Sequence, residues 1–198
     1  MLVTAPFNSA KQPVLVLGLG NILLGDDGLG PALVREVGHF YKNVEGVECV
    51  DGGTQGMALL GHLDGREALV ILDAYPGSHA PGTVSVLEGS AMLDALAAPS
   101  TSSHEGNAGE LLAAAALLNT LPKSIFLVGI EPEAVRAQSG LSDTVRRALP
   151  AALVRACVII EQTLLTLEFC NVGATRADDR REEAESVISG RAPEFSEP

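Results

Sequence analysis

The sequence predicts an α/β protein: a three-layer α/β/α sandwich around a twisted, mostly parallel sheet of five strands. Two observations lead to this prediction. Short apolar runs alternate along the chain with stretches in which apolar residues recur at helical spacing. Most of the runs are apolar at every position, which is typical of strands covered by helices on both faces of a parallel sheet.

Each element follows from its local pattern. The predicted strands are residues 13–19, 46–51, 67–75, 82–88 and 123–132. The fourth alternates in polarity after a Pro-Gly turn, so we expect an edge strand and leave its direction open. The predicted helices are residues 30–41, a short segment beginning at Thr54 as N-cap, residues 110–121, and a long segment from Asp143 to about Phe169 that Ser142 caps. Pro150 is expected to begin or kink the second part of that last helix.

The domain organisation follows from the same pattern. We expect one domain over residues 13–170, preceded by an extension, residues 1–12, and followed by a charged, flexible tail, residues 171–198, in which the apolar period disappears. Residues 98–107 are small, polar and turn-rich, and predict a loop.

Composition limits the functional class. The net charge of −12 argues against nucleic acid and anionic membranes as partners, because phosphates would repel such a chain. The sequence has no evident signal peptide or membrane-spanning apolar run, so a cytoplasmic protein without membrane insertion is expected. Its three cysteines form no CxxC motif and predict reduced, buried thiols.

The segment GLGNILLGDDGLG, residues 18–30, begins like a nucleotide-binding loop. A GxGxxG motif would need glycine where Leu23 stands, and no GxxxxGK[ST] motif occurs in the chain. Asp26 and Asp27 occupy the place at which a helix N-terminus would receive a phosphate. Nucleotide binding is therefore the minor alternative. We expect Asp26 to serve the backbone and Asp27 to point into a cleft.

Polar residues follow four consecutive strands or lie in the connections after them. Asp27 comes after the first, Asp51 and Asp73 lie at the ends of the second and third, and His104 lies in the loop region after the fourth. Ligands of open α/β sheets bind beyond the carboxyl ends of the strands, where the strand order reverses. For Asp51 a structural role in a turn is slightly favoured. His39 and His62 are interpreted as residues near helix ends, and His79 as an ordinary loop residue.

Asp27, Asp73 and His104 together form a set of two oxygen donors and one nitrogen donor. Such a set suits nickel, zinc or manganese better than a thiolate-selective metal. The chain has no GxSxG or HExxH motif and no cysteine in a papain-like context. The residues alone therefore predict an acidic, metal-dependent α/β protein, and any hydrolysis would use metal-assisted attack by water.

The motifs GNxLxxDDGxG, DGGTQGMALL, LVILDA, SSHEGNAGELL and LVGIEPE, in this order, resemble those of nickel–iron hydrogenase maturation endopeptidases. The resemblance covers residues 13–166, and the tail after Cys170 has no clear counterpart. It implies an α/β/α sandwich that removes a C-terminal extension from the hydrogenase large-subunit precursor after nickel insertion. It also implies that Asp27, Asp73 and His104 recognise the metal.

The resemblance further implies that nickel arrives with the substrate, and that the isolated protein accepts a divalent cation at the same residues. A nickel-loaded large-subunit precursor is the expected partner, and a monomer is expected in its absence. Two alternatives stay open at this point. One is a non-catalytic, metal-dependent hydrogenase assembly factor, and the other is a nucleotide-dependent oxidoreductase.

Overall fold

A computed structural model describes residues 11–97 and 108–188, with side chains described for 11–94 and 108–170. Within these residues the strands are β1 (Val14–Leu19), β2 (Val47–Gly53), β3 (Ala68–Ala74), β4 (Val84–Glu88) and β5 (Ser124–Ile130). The helices are α1 (Leu29–Tyr41), α2 (Leu60–Leu63), α3 (Gly89–Ala97), α4 (Ala108–Leu117) and α5 (Asp143–Ile188). Single turns of 3-10 helix span Asp26–Gly28 and Gly56–Leu59.

The five strands form one sheet in the order β2-β1-β3-β5-β4. Neighbouring strands are parallel except for β4, which is antiparallel to β5 and lies at an edge. The mostly parallel five-stranded sheet and the edge position of the fourth strand are thereby confirmed. The chain leaves β1 toward β2 on one side and returns to β3 on the other. The strand order therefore reverses between β1 and β3.

Helices cover both faces of the sheet. In β1 the valines Val14 and Val16 point to the face covered by α1 and α5. The intervening leucines, Leu15 and Leu17, point to the face packed by α2, α3 and α4. Both sets are fully buried. This alternation within a continuously apolar strand is the pattern expected for a sheet between two helical layers.

Helix α1 begins in direct backbone contact with the sheet. A Cβ atom on Gly30 would lie 2.1 Å from the carbonyl oxygen of Leu19 and 2.3 Å from that of Leu72. A Cβ on Gly18 would lie 2.5 Å from the carbonyl oxygen of Gly30. These glycines are therefore required for close helix–strand packing, and the first turn of α1 lies immediately above the ends of β1 and β3.

Two helix boundaries differ from the prediction. Thr54 does not cap a helix. The N–H of Gln55 instead donates to the carbonyl of Gly52 (3.0 Å), which forms a backbone turn. The 3-10 helix therefore begins at Gly56. Helix α4 ends at Leu117 rather than residue 121, because Asn119 adopts a positive φ of 55° and reverses the chain. Helix α3 was not predicted. The loop predicted over 98–107 lies outside the described residues.

The last helix begins as predicted but extends further. The N–H of Val145 donates to the hydroxyl of Ser142 at 3.2 Å, which confirms the N-cap. Pro150 lies inside the helix, which continues to Ile188 rather than ending near Phe169. Residues 171–188 are rich in alanine, arginine and glutamate, whose helix propensity does not depend on an apolar period. The backbone there is helical, where a flexible tail was expected.

By length and composition alone, residues 143–170 of α5 would be sufficient to cross a membrane, contrary to our expectation from the sequence. In the fold this part of the helix packs on the sheet. Its buried residues are Val145, Ala152, Ala156, Ile159 and Ile160. Packing covers only part of this segment, since Val154, Val158, Leu165 and Phe169 on the same helix are exposed.

Candidate functional site

Two aspartates meet where the strand order reverses. Asp27 lies in the 3-10 turn that connects β1 to α1, and Asp73 is the penultimate residue of β3. Since β1 and β3 are parallel neighbours, both residues lie at the carboxyl edge of the sheet. This is the position at which open α/β sheets bind ligands.

Gly20 separates the two aspartates. It has a φ of +123°, and a Cβ on it would lie 1.8 Å from the carbonyl oxygen of Asp27 and 3.7 Å from Oδ1 of Asp73. Only glycine fits this conformation and this space. Its N–H also donates to the carbonyl of Gly53 (3.0 Å), which ties the end of β2 to the same place.

The Asp27 side chain is held by its own loop. Its Oδ2 accepts a hydrogen bond from the N–H of Asn21 at 2.8 Å, and the side-chain oxygen of Asn21 accepts one from the N–H of Leu23 at 3.0 Å. Asp27 is partly exposed. The loop therefore fixes one carboxylate oxygen and leaves the residue accessible from the carboxyl edge of the sheet.

The Asp73 carboxylate is less well satisfied. Its Oδ1 accepts the N–H of Ala74 at 2.8 Å, and no other hydrogen bond to it is found among the described residues. Burial, followed by the negative charge of Asp27, raises the pKa of Asp73 well above its ordinary value, while the bond from Ala74 acts in the opposite direction. Two adjacent carboxylates with this electrostatic conflict are stabilised by a shared cation or a shared proton.

Asp26 has a different role from Asp27. It is 1% exposed, and its Oδ2 accepts the N–H groups of Glu133 (2.8 Å) and Ala134 (3.0 Å). Its Oδ1 accepts the N–H of Ser142 at 2.7 Å. As predicted, Asp26 serves the backbone, but the backbone belongs to a segment more than 100 residues away. The carboxylate therefore ties the Asp27 loop to the β5–α5 connection.

The environment of Asp26 favours its ionised form. Burial opposes ionisation, yet the bonds from Ser142, Ala134 and Glu133 outweigh it and lower the pKa of Asp26 below its ordinary value. The two neighbouring aspartates are thus in opposite situations. Asp26 is a satisfied structural anion, and Asp27 lies beside Asp73, whose carboxylate accepts one hydrogen bond in the described part of the chain.

The structure says less about the other residues that the sequence singled out. His104 lies outside the described residues, so its part in the site stays a prediction. In the described part of the chain, no group of three histidine, cysteine, aspartate or glutamate residues is placed to hold a metal ion. Asp51 is an exposed residue within β2, which extends to Gly53 rather than ending at residue 51. His39 and His62 lie in the last turns of α1 and α2, which confirms their positions near helix ends.

Glu131 was missed by the sequence reasoning. Its Oε2 accepts the N–H groups of Gly77 (2.8 Å) and His79 (3.0 Å), in the loop that follows Asp73. The backbone of Glu131 also bonds Gly82 and Thr83. Glu131 therefore holds the connection between β3 and β4. Its place directly after β5, at the same edge as the aspartates, was the available signal.

A polar cavity of about 370 Å³ is lined by Asp26 but by neither Asp27 nor Asp73. Its lining includes Glu133, Arg136, Asp143 and Arg147. The acids and bases are mixed, and both arginines are exposed. The cavity defines no single ligand charge, whereas the aspartate pair favours a cation.

Fold and site together define an α/β protein that carries a pair of carboxylates where the strand order reverses, in place of a phosphate-binding loop. The chain belongs to the hydrogenase maturation protease family, whose model matches residues 31–159. That match includes Asp73 and begins four residues after Asp27. Membership makes the protein a peptidase of hydrogenase maturation, since its relatives and structural neighbours are named as maturation proteases and endopeptidases.

The relatives agree in sequence and in structure. The chain is 35% identical over 151 residues to the hydrogenase 2 maturation protease of Escherichia coli K12, covering 76% of this chain and 92% of the relative. The hydrogenase maturating endopeptidase HybD from E. coli superimposes with a TM-score of 0.68 at 32% identity, over 76% of this chain and 93% of that one. The [NiFe] hydrogenase maturation protease HybD from Thermococcus kodakarensis gives 0.62 at 30% identity, over 74% and 98%.

Proposed function

We propose that this protein removes a C-terminal extension from the large-subunit precursor of a nickel–iron hydrogenase after nickel has been inserted. Nickel is part of the substrate in this proposal. Asp27, Asp73 and His104 recognise the metal, the reaction takes place in the cytoplasm, and the enzyme is a monomer when no precursor is bound. Family membership supports the proteolytic activity on hydrogenase precursors.

The observation that carries the proposal is the aspartate pair. The charge of Asp27 acts on Asp73 across the Gly20 turn, and Asp73 has one hydrogen bond in the described part of the chain. A cation removes the repulsion between the two carboxylates and replaces the partners that Asp73 lacks. Carboxylate oxygens with one imidazole suit nickel. The pair therefore has a physical reason to bind a precursor that carries nickel and to reject one that does not.

The chain contributes orientation to the reaction. Asn21 holds one oxygen of Asp27, and the Gly20 turn fixes the spacing to Asp73. Docking of the metal-bearing segment on these carboxylates brings the scissile peptide to the carboxyl edge of the sheet. When bound, the metal supplies Lewis-acid polarisation of a carbonyl or of water, and no GxSxG or HExxH motif competes for that role.

The test is to incubate the protein with nickel-loaded and nickel-free precursor and to follow the mass of the large subunit. Cleavage of only the loaded precursor is expected. Equal cleavage of both forms would remove nickel recognition from the proposal, and failure to cleave either form would remove the proteolytic function. Binding of the loaded precursor without a change in its mass would instead support the assembly-factor alternative.

Alanine substitutions test whether each of the three proposed metal-recognising residues is needed. Asp27→Ala, Asp73→Ala and His104→Ala are each expected to reduce processing by about two orders of magnitude or more. Asp64→Ala is the matched control, because Asp64 is exposed and lies before β3 begins, at the opposite edge of the sheet. Thermal unfolding checks that each variant is folded. Full activity in any of the three variants would exclude that residue from metal recognition.

A further inference from the structure

Two large apolar side chains are exposed beside the aspartate pair. Ile22 is 60% exposed and Leu23 is 70% exposed, in the loop between β1 and the Asp26–Gly28 turn. We call Ile22 and Leu23 the apolar tip. Single exposed apolar residues are ordinary on protein surfaces, but two consecutive ones at a ligand-binding edge are a candidate contact surface.

The apolar tip is held in place by the backbone. The N–H of Gln138 donates to the carbonyl of Leu23 (3.1 Å), and the N–H of Gly25 donates to the carbonyl of Gln138 (3.0 Å). The N–H of Arg136 donates to the carbonyl of Leu24 at 3.3 Å. These bonds, together with those of Asp26, join the loop to the β5–α5 connection. The exposed side chains are therefore presented on an ordered backbone, which lowers the entropy lost on binding.

The apolar tip is adjacent to Asp27. The Cα of Ile22 lies 3.0 Å from the position that a Cβ on Gly28 would occupy, and the residue before it, Asn21, binds the Asp27 carboxylate. A segment that reaches Asp27 over the Asn21 side of its loop therefore lies close to Ile22 and Leu23.

The charges at this edge determine what kind of partner fits. Asp27 and Asp73 lie at the pair, Asp51 is exposed on the neighbouring strand, and Glu133 is exposed on the connection bonded to Asp26. A partner that covers the apolar tip must offer apolar groups to Ile22 and Leu23 and positive charge to the carboxylates. A peptide segment that carries a bound metal cation meets both requirements.

We propose that the apolar tip is a docking contact for the metal-bearing segment of the large-subunit precursor, and that it contributes to substrate binding rather than to peptide hydrolysis. This inference rests on the proposed function. Burial of two aliphatic side chains in the complex supplies binding energy that is present in both the ground state and the transition state. Loss of such uniform binding raises KM and leaves kcat unchanged.

The experiment compares two double variants. Ile22→Ser with Leu23→Ser removes the apolar tip, and Leu117→Ser with Leu118→Ser is the matched control. Leu117 and Leu118 are 84% and 60% exposed and lie where α4 ends, before β5 begins, at the opposite edge of the sheet. We expect KM for the nickel-loaded precursor to rise roughly tenfold or more in the tip variant, with kcat within about twofold of the parent. The control is expected to match the parent.

A third variant, Ile22→Leu with Leu23→Ile, keeps the apolar area and is expected to restore KM to within about threefold of the parent. A tip variant with unchanged KM, or with kcat reduced and KM unchanged, would overturn the inference. Direct binding of the precursor separates this inference from the proposed function. If the parent binds but does not cleave, the proteolytic function fails, while a roughly tenfold weaker Kd of the tip variant still supports docking. Equal Kd values would overturn it.

Discussion

Asp26→Asn is the sharpest test of the structural argument, because it changes one atom of a fully buried side chain. Oδ2 of Asp26 accepts two backbone N–H groups, and Oδ1 accepts the N–H of Ser142 at 2.7 Å. The amide oxygen of asparagine replaces only one of these oxygens. Placed at the site of the two bonds, it leaves the amide NH₂ facing the N–H of Ser142, so that two donors oppose each other.

The magnitude follows from this count. One charge-assisted bond is lost, which costs about 1.5–3 kcal/mol, and the remaining two are weakened because the acceptor is no longer ionised. We therefore expect Asp26→Asn to lower the free energy of unfolding by about 2–4 kcal/mol. For a domain of this size that corresponds to a fall in Tm of roughly 5–15 °C. Asp26→Ala removes all three acceptor contacts and is expected to cost more than Asp26→Asn.

The assay is urea unfolding followed by circular dichroism, with Asp143→Asn as the control. The Asp143 side chain is 81% exposed and pairs with Arg146 on the surface of α5, so the same chemical change there is expected to cost less than about 1 kcal/mol. Equal losses in the two variants would refute the role of Asp26 as a link between the Asp27 loop and the β5–α5 connection.

Three further predictions concern other parts of the fold. Gly20→Ala is expected to lower the free energy of unfolding by more than about 2 kcal/mol in urea, because its Cβ would lie 1.8 Å from the carbonyl oxygen of Asp27; an unchanged midpoint would contradict the close approach. Arg66→Met is expected to cost about 2–4 kcal/mol by thermal unfolding, since this buried side chain pairs with a glutamate and donates to two carbonyls. Burial raises the pKa of Cys49 to about 11, so at pH 8 it stays a thiol and reacts with iodoacetamide at least about tenfold more slowly than exposed Cys170. The modification rate of Cys49 should rise with pH up to that pKa. Equal rates for Cys49 and Cys170 at pH 8, measured by mass spectrometry, would contradict the burial of Cys49.

The sheet was predictable because its information is local. Most strands are short apolar runs, and Val14 to Leu17 alternate valine and leucine toward the two helical layers. The edge position of β4 followed from its alternating polarity and from the Pro-Gly turn before it, whereas its antiparallel direction came only from the structure. Helix α3 was missed because Gly89 and a short run of small residues give little periodic signal, although Met92 is fully buried.

The site was predictable only in part. The rule on strand ends and strand order was sufficient to bring Asp27 and Asp73 to one edge, because Asp27 lies in the connection after β1 and Asp73 lies at the end of β3. The partners of Asp26 lie 107–116 residues away in the chain, and no spacing in the sequence reports them. Glu131 was overlooked for the same reason, since its carboxylate binds a loop 52–54 residues earlier.

The bonds of Asp26 also set an order of events during synthesis. Both Asp27 and Asp73 are translated well before Ser142, so the nascent chain contains the aspartate pair while the acceptors of Asp26 still lack their donors. Each of these bonds closes a loop of more than 100 residues, which costs more conformational entropy than closing a short loop. The carboxyl edge of the sheet is therefore completed only when the start of α5 has been made, and truncated chains carry the aspartates without the support that positions them.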